Sequence, residues 1–311
     1  MERLLVTGMD SLLGANLAVA LAGQCEVLGL YEHWMVESPL VRTAAWNPAD
    51  RHSIKQHLDD WQPQWILHCG PLANGSWERE PSATVAEHEP LVVARLAEAA
   101  SESACRLTVL SSDVVFAGPR MFHDESTTPA SPSPRAARVR AMERVLEHTP
   151  ALVVRTHAYG WGMRGEPSGF AEQMASRLCE RSSLALDGRR HATPILVTDL
   201  ADLLCRAFEI RLHGLYHLSG AERTSPYRFV TELAGALGLD MPPCLASETT
   251  QEVSTWHDET SLSSKRARRM LGAVTPMLRE GLDRFADQQK NGWCENWHVV
   301  GPASSHREMA A

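Results

Sequence analysis

Along the first half of the chain, short apolar runs alternate with longer segments whose apolar residues recur every three or four positions. The runs Leu4–Thr7, Glu26–Leu30, Trp65–Cys69, Arg106–Ser111 and Leu152–Arg155 are nearly continuous in apolar residues, as strands are when helices cover both faces of their sheet. Helical spacing marks Leu13–Ala22, Ser53–Asp60, Thr84–Ala100 and Arg135–Glu147 between them. This rhythm predicts βαβ units and an α/β fold, a doubly wound parallel sheet over residues 1–155. From residue 156 the pattern loosens. A Gly-rich stretch from Tyr159 to Gly165 leads to a predicted helix at Phe170–Arg181 and a short strand at Leu184–Leu186. A further helix at Pro226–Leu237 has proline in its first turn, where a missing N–H costs nothing. Residues 156–290 read as a smaller, mostly helical lobe. Within it, residues 196–219 (helix Asp199–Ile210, strand Leu215–Leu218) suit either the lobe or a return to the sheet. Asp124–Pro134 reads as a loop. Residues 291–311 form a tail with Trp293 and Trp297, which anchor either on the parent domain or on a partner.

Composition narrows the function classes. A chain of 311 residues with 44% hydrophobic content is globular, enough for one large or two modest domains. Its 38 acidic against 30 basic residues, a net charge of −8, argue against a nucleic-acid partner. No apolar run approaches the roughly 20 residues of a spanning helix, and Met1 leads straight into a strand, so the reading is cytoplasmic with no membrane partner. The seven cysteines stand singly, with no C-x-x-C pair. Among fourteen histidines there is no H-E-x-x-H, and His213 and His217 are separated by Gly214 at a strand start, so no metal site is expected.

The loop Thr7-Gly-Met-Asp-Ser-Leu-Leu-Gly14 joins the first strand to the first helix, where backbone N–H groups and a helix N-terminus can face a pyrophosphate. Gly8, Asp10, Ser11, Leu12, Leu13 and Gly14 are its cofactor-binding candidates. The full fingerprint has a third glycine where Ser11 stands. That serine either weakens the approach of a phosphate or bonds it through the hydroxyl; a tight turn that binds nothing is the other reading. Tyr31 or Glu32 follows the second strand near an adenosine ribose, with no arginine before Arg42, so NAD and NADP are not distinguished.

Ser111-Ser-Asp-Val-Val-Phe-Ala-Gly118 resembles the S-T-D-x-V-F-x-G segment of the dTDP-4-dehydrorhamnose reductases, extended short-chain dehydrogenases of Rossmann fold that act on nucleotide sugars. Gln62–Gly70 is similar to that family's K-P-D-x-V-I-N-C-A strand, Leu152–Thr156 to L-I-L-R-T and Gly214–Gly220 to G-x-Y-H-L-S-G. Asp187, Thr193-Pro194 and Asp199-Leu-Ala201 match D-x-x-x-x-P-T and D-L-A, and Leu262, Lys265, Leu271-Gly272 and Gly281–Phe285 the closing pattern. The resemblance implies an NADP or NAD cofactor and a nucleotide-sugar ligand. It adds Asn47, Gly70, Pro71 and Ser111 to the cofactor set, Asp113, Arg189 and Thr193 to the substrate set, and Ser112 as a residual catalytic group.

The chemistry implied by that family needs a Y-x-x-x-K pair, in which tyrosine moves the proton and lysine lowers its pKa. None exists here: Met35, Met163, Gly220 and Thr231 stand four residues after the four tyrosines. The helix that should carry the pair places Arg135 at the tyrosine position and Val139 at the lysine position, and an arginine is a poor proton donor. Ser112 either bonds a carbonyl oxygen or is merely polar at a strand end. Glu89-Pro90 replaces the N-A that helps hold the cofactor, and Asn47 the aspartate near the adenine. Arg189-Arg190-His191 is either a solvated turn or a contact to a diphosphate. Two expectations follow. One is a catalytically impaired binding or regulatory subunit with a protein partner or as a homodimer; the same group includes the regulatory beta subunit of methionine adenosyltransferase. The other is an active nucleotide-sugar reductase or epimerase with an unorthodox proton donor.

Overall fold

Strand β1 (Glu2–Thr7) sends Leu4 and Val6 into one hydrophobic core and Leu5 into another, as the two-residue period of a strand requires. The described residues of the computed structural model are 1–162, 169–242, 244–246 and 259–303. Helix α1 (Leu12–Leu21) leads to β2 (Cys25–Tyr31), which returns parallel to β1. The chain continues through β3 (Trp34–Glu37), β4 (Arg42–Ala45), α2 (Arg51–Trp61), β5 (Trp65–His68), α3 (Ala83–Glu102), β6 (Arg106–Ser112), α4 (Pro134–Val145) and β7 (Leu152–Thr156). It then runs β8 (Ala158–Tyr159), α5 (Phe170–Cys179), β9 (Leu184–Leu186), β10 (Ile195–Leu196), α6 (Val197–Glu209) and β11 (Gly214–His217). Last come α7 (Pro226–Leu237), β12 (Cys244–Ala246), α8 (Lys265–Leu271), α9 (Leu278–Lys290) and β13 (His298–Pro302).

The main sheet is parallel and seven-stranded, in the order β11-β7-β6-β5-β1-β2-β4. The five predicted strands form its interior. Its two edges are β4 and β11: β4 is too short and too exposed to show an apolar run, and β11 makes the return to the sheet that residues 196–219 leave open. One core gathers residues of α1, α5, α6, α7 and α9 on one face, the other residues of α2, α3 and α4 on the opposite face. Trp65, fully buried, stacks on Phe208 at 4.6 Å and donates its indole N–H to Thr108 Oγ1 at 3.0 Å. No helix among the described residues is long and apolar enough to cross a membrane.

The tail packs on its own domain. Strand β13 pairs antiparallel with β3, Trp297 is buried, and Trp293 Nε1 donates to Asn16 Oδ1 at 2.9 Å. Asn16, on α1, donates in turn to the carbonyls of Leu12 and Trp161. Met163–Gly165 of the Gly-rich stretch lies outside the described residues, as does the tail beyond Ala303.

At the β7–β11 edge, His217 is fully buried, donates from Nδ1 to the carbonyl of His123 at 3.0 Å, and has no partner for Nε2 among the described residues. Burial, aided by the nearby Arg155 charge, pushes its pKa down to about 3. The unfolded chain therefore takes up this proton near the ordinary value of 6.5 while the folded chain refuses it. Stability contributed by neutral His217 is complete above that range and is lost as the pH falls from 6.5 towards 3. About 2 kcal/mol should disappear between pH 7 and pH 5 from this group. Urea unfolding of the wild type and of His217→Gln at both pH values measures it: the loss should be smaller in the variant.

Candidate functional site

An open doubly wound sheet leaves a crevice outside its carboxyl strand ends where successive strands are laid down to opposite sides, here between β1 and β5. A cavity of about 230 Å³ lies there. Its wall comes from the loop after β1 (Gly8, Asp10, Ser11), from Glu32–Trp34 after β2, from Trp46 and Pro48 after β4, and from His68–Pro71 at the end of β5.

Ser11 caps α1. Its hydroxyl accepts the Gly14 N–H at 3.0 Å and donates to the Gly8 carbonyl at 2.7 Å, so it is committed to its own loop. The N–H groups of Leu12 and Leu13 remain as the first-turn donors without an intrahelical acceptor, while the Leu13 side chain is in the core. Gly8 has φ +76°, and a Cβ there would sit 2.3 Å from the Cys69 carbonyl oxygen; a Cβ on Gly14 would sit 1.9 Å from that of Gly8. The strand-to-helix turn demands both glycines whether or not a ligand binds.

Asp10 turns across the crevice. Its Oδ2 accepts the backbone N–H groups of Glu32 (3.2 Å), His33 (2.7 Å) and Trp34 (3.2 Å). Of the two ribose candidates, Glu32 lines the cavity and Tyr31 packs into the core. Partial burial raises the Glu32 pKa against the pull of His33, and Asp10 and Glu89 raise it further. Asn47 turns its Oδ1 to the N–H of Ala49 at 2.9 Å, while its neighbours Trp46 and Pro48 line the wall.

Gly70 and Pro71 line the cavity floor beside a buried relay. Thr7 Oγ1 and His68 Nδ1 share a hydrogen bond of 2.6 Å, and His68 Nε2 donates to Glu89 Oε1 at 2.8 Å. This relay was not expected. Its sequence signal is a glutamate on the apolar stripe Ala86, Glu89, Val93, Leu96 of α3, which helical spacing buries and which then needs a partner. A Cβ on Gly70 would lie 1.6 Å from Glu89 Oε1 and 2.5 Å from His68 Nε2, so any larger residue there would push the relay's side chains aside.

The predicted catalytic position is filled by protein. Ser112, fully buried at the end of β6, donates its hydroxyl to the Asn74 carbonyl at 2.6 Å. Arg135, buried in the first turn of α4, donates to the carbonyls of Asn74, Gly75 (3.1 Å) and Glu78 (3.3 Å). Desolvation lowers its pKa, opposed by the charges of Asp113, Glu80 and Glu78. Val139, one turn along, is fully buried.

Asp113 is fully buried and receives the Ser76 N–H (2.8 Å), the hydroxyls of Ser76 (2.8 Å) and Thr260 (2.6 Å), and His157 Nδ1 (2.8 Å). Burial opposes its charge, but His157 and the hydroxyl donors outweigh it and hold the carboxyl below its ordinary range. Ser111 donates to Glu143 at 2.6 Å, and Glu143 also takes a two-point ion pair from Arg155. Thr193 accepts the Leu262 N–H at 3.0 Å and so ties loops together. Of the pair Arg189 and Arg190, Arg190 joins Arg135 on the 74–78 loop, donating to the Ser76 carbonyl, whereas Arg189 turns its amide to Asp187. Among the described residues no group of three or more His, Cys, Asp and Glu is placed to hold a metal ion.

A family model for the RmlD substrate binding domain matches residues 1–291. The chain belongs to the RmlD family. Among curated relatives, methionine adenosyltransferase 2 subunit beta of Xenopus tropicalis is 25% identical over 213 residues, 62% of this chain and 60% of the relative; that of Xenopus laevis is 26% identical over the same length. The chain thus spans about 60% of the length of the curated relatives it matches. Among solved structures, dTDP-4-dehydrorhamnose reductase of Bacillus anthracis, in complex with NADP, superposes with a TM-score of 0.72 at 20% identity, covering 93% of this chain and 99% of that one. The UDP-glucose 4-epimerase of Thermotoga maritima with UDP-glucose gives 0.73 at 16% identity, covering 94% and 99%. These likenesses establish the Rossmann-like fold of this RmlD family member.

Two substitutions separate packing from ligand binding. Gly8→Ala should cost about 2–4 kcal/mol in the ligand-free protein, because strain at positive φ adds to the clash with Cys69; a urea midpoint near the wild-type value would refute this. Arg135→Met should cost about 3 kcal/mol by stranding carbonyls of residues 74–78. It should also speed tryptic cleavage after exposed Arg79, read by mass spectrometry.

Proposed function

We propose that this RmlD family member binds a nicotinamide dinucleotide, and near it a nucleotide sugar, without reducing it, and serves as a binding or regulatory subunit. The observation that carries this reading is Arg135. It stands where the resemblance puts a proton-donating tyrosine, keeps its proton at ordinary pH, and points its guanidinium at main-chain carbonyls of residues 74–78. Ser112, the remaining polar group of the catalytic set, donates its hydroxyl hydrogen bond to the Asn74 carbonyl. Neither the tyrosine nor the lysine is replaced by a group of like chemistry.

The cofactor half of the reading rests on fit. The cavity at the strand switch offers aromatic walls in Trp34 and Trp46, a carboxylate for a ribose diol in Glu32, and the first-turn N–H groups of Leu12 and Leu13 for a phosphate. At about 230 Å³ it lies below the roughly 300–1,000 Å³ of pockets that enclose a whole ligand, and so suits the adenosine half. A bound nicotinamide would supply hydride chemistry; the residues here bind and orient. The subunit role draws support from the curated relatives, whose name is that of a subunit.

Incubation with NADH or NADPH and dTDP-4-dehydrorhamnose tests it. The expected result is a higher melting temperature with dinucleotide and no consumption of reduced nicotinamide. Steady consumption that Ser112→Ala abolishes would overturn the reading. One observation favours an active enzyme instead: the His157–Asp113 pair, one residue from Ser112, is an ionisable couple able to hold a proton. In that case His157→Gln should remove turnover while leaving dinucleotide binding intact.

A further inference from the structure

The main chain after β2 carries three N–H groups, those of Glu32, His33 and Trp34, that converge on one point at the rim of the cavity. Successive N–H groups arranged in this way form a concavity that attracts anions. Here the concavity is already filled. Asp10, whose side chain is only 8% exposed, places Oδ2 within 2.7–3.2 Å of all three nitrogens. Its tether is one residue from the turn at Ser11, so the carboxylate is held at a concentration no free anion matches.

A second carboxylate stands beside it. Glu32 lines the same wall, and His33 Nδ1 lies 3.8 Å from Asp10 and 3.7 Å from Glu32. No lysine or arginine is among the described residues lining the cavity. Arg95, next to the rim, donates from Nη1 to the carbonyls of Pro48 (2.6 Å) and Ala49 (2.9 Å). A monophosphate ester carries close to two negative charges at neutral pH and needs donors and cations. The hydroxyls of an unmodified ribose need acceptors instead, and those are what the wall offers.

Resting on the dinucleotide reading above, we infer that this cavity takes the unphosphorylated ribose, NAD(H) in preference to NADP(H), and that Asp10 sets the choice by filling the site a 2′-phosphate would use. Glu32 at the end of β2 is an acceptor for the ribose. Asp10 acts differently: it removes the donors.

The test is calorimetric titration of the full chain at pH 8, where an ordinary histidine is neutral, with NADH and NADPH in parallel. ADP-ribose and 2′-phospho-ADP-ribose repeat the comparison without the nicotinamide. NADH should bind at least about tenfold more tightly than NADPH, a difference of about 1.4 kcal/mol. Asp10→Ala, which removes the oxygen that fills the concavity, should raise NADPH affinity severalfold and change NADH affinity less. Should that variant fail to fold, the wild-type ratio stands alone as a test, and Glu32→Gln should narrow it by removing the second charge. NADPH binding as tightly as NADH would overturn the inference while leaving dinucleotide binding in place. An unchanged ratio in folded Asp10→Ala would overturn the role of Asp10. Silence from all four ligands would overturn the dinucleotide reading itself, and this inference with it.

Discussion

Arg135 is 4% exposed and cannot lose its charge under ordinary conditions, so acceptors must be brought to it. They are the carbonyls of the loop after β5, and that requirement fixes the loop's path across the carboxyl ends of β5 and β6. Once the loop lies there, Ser112 finds its acceptor in Asn74 and Asp113 finds two donors in Ser76. Arg190, between β9 and β10, reaches the same residue. A single buried cation thus draws one loop, two strand ends and the turn at Arg190 into one polar cluster. Removing the charge would leave several carbonyls without donors, which is why this position is costly to change even if nothing is catalysed there.

The glycine loop obeys a different constraint. Gly8 and Gly14 are fixed by close approaches of backbone to backbone, at Cys69 and at Gly8 itself, and these exist without any ligand. Ser11 stands where the full fingerprint has a glycine, and it adopts an ordinary extended conformation with φ −113°. Its hydroxyl then takes over the capping of α1. The presence of two glycines of a phosphate fingerprint therefore says more about how tightly β1, α1 and β5 pack than about what they bind. The cofactor argument has to rest on the cavity wall instead, on Glu32, Asp10 and the two tryptophans.

Helical spacing, strand runs and the order of elements were legible in the sequence because each records burial within a single element. The five interior strands and the helices between them follow from that record, as does the doubly wound class. So does the loss of the catalytic pair, since the positions of tyrosine and lysine are a matter of counting. The edge strand β11 was legible as a strand, but β3 and β4 were not. β3 and β4 are four residues each with little apolar pattern, and β3 becomes a strand by pairing with the tail, more than 260 positions away.

What only the tertiary structure decided is where polar side chains give their hydrogen bonds. Thr7 meets His68 across 61 positions, Arg135 meets Asn74 across 61, and Asp113 meets Thr260 across 147. Tyr31 and Glu32 are adjacent, yet the last residue of β2 packs into the core and the first residue beyond it faces the cavity. Local pattern sets which residues are buried because burial is a property of one element's face. A hydrogen bond needs two groups brought to about 3 Å in the right direction, and that is settled only when the elements have packed.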